Sequence, residues 1–574
     1  MSHKIDLKKK ERRFLQAEFR VDSWDNIESC FKALADREIT SKSDLRSWFQ
    51  DRSELEAVLS EEMGWRYIRM TCDTANQELV DSFNYFVSKI QPKVAPYSNL
   101  LDKKALELPF LDEFKEKEYV LVRKIIEKEA RIFREENIPL NTEIQTEEQK
   151  FGSISGDMTV EMEGKELTLQ QAADYLQSLD RDLRKEAYFK IAERRLKDKD
   201  ALNDLFDKLL SLRDQVAKNA GFSNFRDYMH VSLGRFAYTP EDCFKFHEAV
   251  SSEVVPVLNE LALQRKEALS IDVLRPWDLN VNYHGKKALK PFTSGDDLLD
   301  KTLTCFYKID TYLGDCLATM KEIGHLDLVS RKGKAPGGYN YPLDETGVPF
   351  IFMNATSNLQ DLVTMVHEGG HALHSFLNRD LELTIFKHPP SEVAELASMA
   401  MELISMEHWD VFFDNEEDLI RAKREHLESI IGTLPWVATV DKFQHWIYEN
   451  PQHSQEEREQ AWNSIFSTFS NQIVDWSGLE QFKNYIWHKQ LHIYEVPFYY
   501  IEYAIAQLAA IGVWKNYKED PKGGFQKYIN ALKLGYTRPI NEIYATAGVR
   551  FDFSGEYIRE LIGFVKGELD LLKK

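Results

Sequence analysis

The chain has 574 residues, of which 43% are hydrophobic, and this is enough to bury a large core. Its formal charge is -21, from 94 Asp and Glu residues against 73 Lys and Arg residues. The overall field therefore repels phosphate backbones and anionic lipid head groups. We expect neither nucleic acid nor a membrane as a partner, and the oligomeric state stays open.

Cysteine usage and the terminal sequence favour a cytoplasmic protein. The five cysteines are an odd number, widely scattered and without CxxC spacing, unlike the framework of a disulfide-rich secreted domain. The N-terminal run MSHKIDLKKKERRF is not followed by the apolar core of ~7 to 15 residues that a secretory signal needs. The longest apolar stretch, residues 504–514, is well short of the ~20 residues of a membrane-spanning helix.

Helical periodicity covers most of the chain. Residues 125–133 are an example, because their apolar side chains form one stripe amid Lys, Arg and Glu, the pattern of a helix with one buried face. Residues 167–228 contain no proline and predict several further helices. We therefore predict a mainly α fold.

The helical pattern breaks at residues 326–354. This segment contains RKGKAPGGYNYPLDETGVPFIFMNA, which is rich in Gly and Pro and then turns β-branched and aromatic. It predicts a small β-hairpin or sheet with its turn at 344–347 and a strand over 348–353, with Phe350 and Phe352 on one face. That strand is either an edge strand to which a peptide backbone adds or an ordinary strand within a sheet.

Two helices are predicted after this strand. The first begins near Ser357, whose side chain can cap the helix while Gln360 reaches back, and it carries the run HEGGH at 367–371. The second follows a pair of prolines, with Ser391 as the candidate cap. The sequence thus predicts that HEGGH lies on a helix that follows the strand directly.

The run HEGGH has the spacing of a catalytic zinc site. Residues four apart lie on one face of a helix, so His367 and His371 can both present an imidazole nitrogen to a cation about 2.0 to 2.1 Å away. Glu368 lies beside the first histidine, where its carboxylate can accept a proton from water that the zinc activates. We predict one Zn²⁺ per chain, with Glu368 as the catalytic base. His374 is interpreted as a surface or outer residue, not a fourth ligand.

A catalytic zinc ion needs a third protein ligand and an open position. Glu395, in the run SEVAELASMAMEL on the next predicted helix, is the candidate. It shares a helix face with Ser398 and Glu402, so Glu402 can form a hydrogen bond with a ligating histidine. The alternative interpretation of Glu395 is an ordinary solvated helix glutamate.

These motifs resemble those of oligoendopeptidase F, a member of the thimet oligopeptidase family of zinc metallopeptidases. The resemblance rests on TMVHEGGHALH and PSEVAELASMAMEL, with support from GGYNY, VPFIFMN, HIYEVPFYYIEYAIAQL, RDLRKEAYF and AGFSNFRDY, and it covers most of the chain. It implies a two-lobed helical shell around a deep channel that accepts short unfolded peptides. It also implies a boundary near residue 190, between an N-terminal helical region (1–190) and a catalytic metallopeptidase domain (191–574).

By this resemblance, His367, His371 and Glu395 match the zinc ligands of the family, and Glu368 matches its catalytic glutamate. Gly369 departs from the family, because relatives often have a larger residue there. Two adjacent glycines cost roughly 1 kcal/mol each in a helix interior, so we expect altered packing near the zinc.

Relatives use a late histidine and tyrosines to stabilise the oxyanion that forms when water attacks a peptide carbonyl. His492 and the cluster Tyr499, Tyr500 and Tyr503 match that region. Tyr503 is the first candidate donor, together with His492 or Tyr500. The spacing by itself favours an aromatic helix stripe packed in the core.

The predicted reaction is zinc-assisted hydrolysis of internal peptide bonds in short peptides. One alternative is a carboxypeptidase or dipeptidyl carboxypeptidase on the same scaffold, which would need a basic group for the terminal carboxylate of the substrate. Another is a non-catalytic peptide-binding protein, although binding alone has no need of Glu368 as a base.

Overall fold

The structure is a computed structural model that describes Ile5, Leu7 and residues 11–283 and 285–572. Most of the N-terminal run in which no secretory signal was predicted lies outside the described residues. Helices dominate the part of the chain that is described, and the predicted mainly α fold is confirmed. No helix among these residues combines the length and the apolar composition needed to cross a membrane.

The α-helices of the described residues, in chain order, are α1 (Trp24–Asp36), α2 (Lys42–Cys72), α3 (Gln77–Tyr85), α4 (Gln91–Glu107), α5 (Lys117–Ile132), α6 (Asn137–Gly156), α7 (Leu169–Ala173), α8 (Arg181–Lys197), α9 (Lys199–Asn219), α10 (Phe225–Ser232), α11 (Pro240–Ala249), α12 (Val255–Ala268), α13 (Gly295–Ile309), α14 (Thr311–Ile323), α15 (Leu359–Asn378), α16 (Thr384–Lys387), α17 (Ser391–Met406), α18 (Glu416–Glu449), α19 (Gln455–Phe469), α20 (Glu480–Lys483), α21 (Leu491–Glu495), α22 (Tyr500–Glu519), α23 (Pro521–Leu532), α24 (Ile540–Thr546) and α25 (Gly555–Leu571). The β-strands of the same residues are β1 (Thr159–Met162), β2 (Lys165–Thr168), β3 (Leu326–Val329), β4 (Tyr339–Tyr341) and β5 (Phe350–Ala355).

The chain divides into two compact units, each assembled from three segments. Unit 1 comprises Met1–Phe133, Leu289–Lys423 and Ile505–Phe551, and unit 2 comprises Arg134–Ala288, Arg424–Ala504 and Asp552–Lys574. The units are discontinuous in sequence, and the boundary near residue 190 stays a prediction.

In unit 1 a large apolar core lies among α1, α2, α4 and α5. Trp48 and Phe49 of α2 and Tyr119 of α5 are buried in it, and Phe386 of α16 joins them. Helices α1 and α5 each bury one apolar face, the arrangement of an amphipathic helix, whereas the longer α2 is buried on more than one side.

A three-stranded sheet also lies in unit 1, with the order β3-β5-β4. Strand β4 pairs antiparallel with β5, as the predicted hairpin requires, and β3 pairs parallel with β5. Strand β5 begins at Phe350 and not at residue 348, because Pro349 has no N–H to donate to a ladder. The interpretation of this segment as an edge strand is wrong, since β5 is the central strand and is hydrogen-bonded on both sides.

Helix α15 begins with a capping box one residue later than predicted. The Asn358 side chain accepts a hydrogen bond from the Asp361 backbone N–H, and the Asp361 carboxylate accepts one from the Asn358 N–H. Ser357 is not the cap, because its φ of 86° is left-handed and its hydroxyl donates to the carbonyl of Phe292. Ser391 is likewise the first residue of α17 and makes no side-chain cap.

Unit 2 is held together by buried polar side chains as well as by apolar packing. Asp278 is fully buried, and Arg181 and Arg184 of α8 both donate to its carboxylate at 2.8 and 2.9 Å. Nearby, Trp277 packs with Phe482 in a cluster that also contains Tyr188 and Phe189. The unit therefore buries charge where bidentate partners satisfy it.

Candidate metal centre

Helices α15 and α17 of unit 1 bring three metal-binding side chains together. His367 and His371 lie four residues apart on α15, and Glu395 comes from α17. The Nε2 atoms of His367 and His371 lie 3.4 and 3.7 Å from Oε2 of Glu395. All three ligand atoms lie within 4.8 Å of one another. Glu395 is thus a buried side chain aimed at the histidines and not a solvated one.

These separations fit a tetrahedral zinc site. Nitrogen and oxygen ligands at about 2.0 to 2.2 Å from zinc lie roughly 3.3 to 3.6 Å apart in tetrahedral geometry. Two of the observed separations are close to that range without any rearrangement. Two histidines and one glutamate, with a fourth position open, are the donor set of a catalytic zinc ion.

The glycines of HEGGH let α15 pack closely against two other helices, α17 and α13. A Cβ on Gly370 would lie 2.6 Å from the carbonyl oxygen of Ala397 and 2.7 Å from Cα of Ser398, both in the backbone of α17. A Cβ on Gly369 would lie 2.5 Å from the ring of Phe306 on α13. The Phe306 ring therefore occupies the space into which a larger residue at 369 would project. Close packing offsets the cost of two glycines in a helix.

Outer partners orient the ligating groups. Nδ1 of His367 lies 2.6 Å from Oε1 of Glu402, which is seven residues after Glu395 on the same face of α17. The hydrogen bond predicted from the spacing of α17 is therefore present. The hydroxyl of Ser398 donates to Oε2 of Glu395 at 3.1 Å. Such bonds fix the tautomer of the imidazole and the position of the carboxylate.

Glu368 is a buried carboxylate in this cluster. It is 6% exposed, and its Oε2 has no hydrogen-bond partner among the described residues. Burial, with the nearby carboxylate of Glu395, raises the pKa of Glu368 to about 7 against the pull of His367. A buried carboxylate with a raised pKa in a cluster of this kind is typical of a proton-transfer group.

The two histidines differ in their electrostatics. Burial lowers the pKa of His371 to about 4, so its imidazole is neutral near pH 7. Burial also lowers the pKa of His367, but its hydrogen bonds with Glu395 and Glu402 outweigh burial and raise that pKa well above its ordinary value. The pair therefore faces an excess of carboxylates, which is the environment a divalent cation requires.

His374 is not a surface residue. It is 4% exposed and does not belong to the group of ligand atoms formed by its neighbours. Burial lowers its pKa to about 3, so it is a neutral core histidine. The surface alternative for this residue is wrong because position 374 faces the interior of unit 1.

The late aromatic residues form a cluster of their own in unit 2. The ring of His492 lies 4.7 Å from that of Tyr500 and 5.7 Å from that of Tyr503, and Tyr499 lies 5.2 Å from Tyr503. Nδ1 of His492 accepts a hydrogen bond from Gln490 at 2.7 Å. All four rings are partly exposed, so they are not a core stripe. Their part in catalysis stays a proposal.

Sequence reasoning missed two contributors to the site. The side chain of Asn340, on β4, donates to the backbone carbonyl of Glu368 at 3.4 Å. Phe306 fills the space beside Gly369. Neither carries a local signal, because each acts through a tertiary contact, although Asn340 does lie within the motif GGYNY.

Comparison with protein families gives two matches along the chain. The model described as Peptidase family M3 matches residues 175–562, and the model described as Peptidase M3 N-terminal domain matches residues 14–133. Together they cover the segments that contribute the helices of the metal cluster and the core around α2.

Individual relatives have low sequence identity to this chain, but the similarity extends over most of its length. An oligoendopeptidase F homolog of Borreliella burgdorferi is 25% identical over 522 residues, covering 88% of this chain and 84% of that protein. The oligopeptidase PepF of Bacillus subtilis is 22% identical over 388 residues, covering 67% and 56%. Among solved structures, PZ peptidase A with an inhibitor superposes with a TM-score of 0.90 at 25% identity, covering 96% of this chain and 99% of that one. An oligoendopeptidase F from Bacillus anthracis gives 0.86 at 23% identity, covering 98% of each chain.

Proposed function

Because the chain belongs to peptidase family M3, we propose that it is a zinc metalloendopeptidase that hydrolyses internal peptide bonds of short oligopeptides. The predicted resemblance to oligoendopeptidase F is confirmed, and the chain is accordingly a peptidase that acts on oligopeptides. The zinc ion and the internal position of the cut are the proposed part. The observation that supports zinc is the convergence of His367, His371 and Glu395 beside Glu368.

The mechanism assigns one task to each side chain of the cluster. A zinc ion held by His367, His371 and Glu395 would polarise the scissile carbonyl and lower the pKa of a water molecule. Glu368 accepts a proton from the attacking water and later delivers it to the leaving amine. Glu402 accepts the Nδ1 hydrogen of His367, so that a cation can take the place of the proton on Nε2.

Oxyanion stabilisation is proposed for the aromatic cluster of unit 2. Tyr503, with His492 or Tyr500, donates a hydrogen bond to the developing oxyanion, and this role rests on the family resemblance. Burial raises the pKa of Tyr500 to about 12, so its hydroxyl stays protonated and able to donate at neutral pH. The variant Tyr503→Phe tests the assignment, since it removes the donor and keeps the ring.

The proposed function is tested with an internally quenched peptide blocked at both ends. Cleavage and zinc content are measured for the wild type, for Glu368→Gln and for Glu407→Gln. The control residue Glu407 follows α17 and accepts a hydrogen bond from Trp514, so its substitution should leave the rate unchanged. We expect Glu368→Gln to keep its zinc and to lose a factor of about 10² to 10⁴ in kcat.

Each contrary outcome has a definite meaning. Zinc-free wild type that still cleaves the peptide would overturn the metal assignment. Equal rates for Glu368→Gln and wild type would overturn the base assignment. If only peptides with a free C-terminal carboxylate were cleaved, the protein would be a carboxypeptidase or a dipeptidyl carboxypeptidase and not an endopeptidase. If the zinc-loaded protein bound peptides without cutting them, it would be a peptide-binding protein.

A further inference from the structure

Unit 2 contains a second pair of helices that face each other with metal-binding side chains. Helix α11 carries Cys243 and His247, and helix α18 carries Asp441 and His445. Each pair is four residues apart, which puts both of its members on one face of the helix. As in the cluster on α15 and α17, one helix contributes two candidate ligands four residues apart and a second helix contributes the third.

The side chains converge on one point. The ligand atoms of Cys243, Asp441 and His445 all lie within 4.8 Å of one another. Nε2 of His445 lies 3.3 Å from Oδ2 of Asp441, which matches the roughly 3.3 to 3.6 Å between nitrogen and oxygen ligands on a tetrahedral zinc ion. Nε2 of His247 lies 2.8 Å from the same carboxylate oxygen, so this ring can hold the carboxylate in place.

Several polar atoms in this cluster are buried without a partner. The exposed fraction of the side chain is 4% for His445 and 0% for Asp441. Nδ1 of His445 and Oδ1 of Asp441 have no hydrogen-bond partner among the described residues, and Nε2 of His445 is within ion-pair distance of Asp441 without forming a hydrogen bond. Each buried unsatisfied group costs about 1 to 3 kcal/mol. A bound cation would satisfy the carboxylate and one imidazole nitrogen together.

Asp278, another buried aspartate of unit 2, has a carboxylate whose hydrogen bonds are satisfied, and it serves for comparison with Asp441. Asp278 is equally buried, but Arg181 and Arg184 donate to both of its oxygens. For Asp441, the positive partners described in contact are histidines, which carry charge only when protonated. Among the described residues, the ion-pair partners of Asp441 are thus groups that can lose their charge, unlike the two arginines of Asp278.

The donor chemistry selects the class of metal. A thiolate, an imidazole and a carboxylate suit Zn²⁺ and disfavour Mg²⁺ and Ca²⁺, which prefer oxygen ligands. The rings of Phe244 and Phe498 lie 4.9 and 5.4 Å from that of His445 and surround it with apolar surface. With its hydrogen on Nε2, the His247 ring donates to Asp441 at 2.8 Å.

We propose that Cys243, Asp441 and His445 bind a second zinc ion in a buried site of unit 2, with His247 as the residue that positions Asp441. The ion joins α11 to α18 and so connects two sequence segments of unit 2. Because the side chains are buried, the metal binds as the unit folds and exchanges slowly afterwards. This inference does not rest on the proposed function, since it concerns a different set of residues.

The test uses the full chain with the catalytic cluster removed by the double substitution His367→Ala and His371→Ala. Zinc content is measured, and Co²⁺ is substituted for zinc to record the thiolate-to-cobalt charge-transfer band. The cluster on α15 and α17 has no cysteine, so this band distinguishes a site with a thiolate ligand from that cluster, and the cysteine variants assign it to one residue. We expect the double variant to retain about one zinc ion per chain and to show the band.

Two cysteine variants are compared in that background. Cys243→Ala should lose both the retained zinc and the band. Cys305→Ala is the matched control, because Cys305 is equally buried but lies in unit 1 outside either cluster, and it should keep both. A double variant without the band, or a band that persists in Cys243→Ala, would overturn the proposal.

The variant His247→Ala provides a second test in case Cys243→Ala does not fold. It keeps all three ligands and removes the hydrogen bond to Asp441, so zinc affinity, measured by chelator competition, should fall by roughly 10 to 100-fold. Circular dichroism confirms that the protein is folded. An affinity that is unchanged by His247→Ala would refute the positioning role of this residue, and a folded double variant whose melting temperature does not respond to zinc would refute the site.

Discussion

The clusters of unit 1 and unit 2 use the same local construction but differ in access. The side chains of His367 and His371 are each 19% exposed, whereas those of His247 and His445 are 1% and 4% exposed. A partly exposed imidazole pair with an open coordination position can meet a substrate, whereas a substrate does not reach a buried pair. Exposure, and not spacing, therefore distinguishes the two clusters.

The largest effect is expected from the removal of one ligand from the cluster on α15 and α17. Glu395→Ala should reduce zinc affinity at the α15 and α17 cluster by more than the ~10 to 100-fold that an outer partner contributes, and hydrolysis should be lost with the metal. Zinc content and cleavage of a blocked peptide measure both effects. The thiolate band of the cobalt protein should be unaffected. A variant that retains full activity would show that Glu395 is not a ligand.

A smaller effect concerns the close approach of the helices. Gly370→Ala introduces a methyl group against the backbone of Ala397 and Ser398, so we expect a loss of about 1 to 3 kcal/mol in the free energy of unfolding. Gly369→Ala meets a side chain, the ring of Phe306, and should cost less. Urea denaturation measures the difference.

Gly432→Ala provides the control for these two variants. This glycine lies within α18, and an added Cβ would meet nothing within 4 Å. The substitution should stabilise the protein by about 0.5 to 1 kcal/mol through helix propensity. If Gly370→Ala behaved like Gly432→Ala, close packing would not explain the glycine.

The smallest effect concerns Asp278, the buried aspartate of unit 2 that two arginines hold. Burial raises the pKa of Asp278, but hydrogen bonds from Arg181 and Arg184 outweigh burial and lower it below its ordinary value. A lowered pKa stabilises the fold above the unfolded value of about 3.9, and this stabilisation is lost as the pH falls through the folded value. From about pH 4 downwards, the free energy of unfolding should fall more steeply for wild type than for Asp278→Asn. Parallel curves would contradict this assignment.

The sequence by itself determined the local features of this protein. Four-residue spacing placed His367 and His371 on one helix face, because the period of an α-helix is fixed by its backbone hydrogen bonds. The apolar stripes predicted a mainly α fold, and the confirmed family resemblance came from contiguous motifs such as TMVHEGGHALH. Each of these signals lies within one helix or one short segment.

Only the tertiary structure decided which distant residues meet. It placed β5 in the centre of its sheet, Phe306 beside Gly369, and Asn340 on the carbonyl of Glu368. It also gave His247 a role that the sequence had not assigned, since its partner Asp441 is 194 positions away. Contacts between separate helices depend on packing and leave no periodic pattern in the sequence of either helix. The second cluster is therefore formed only by the packing of α11 against α18.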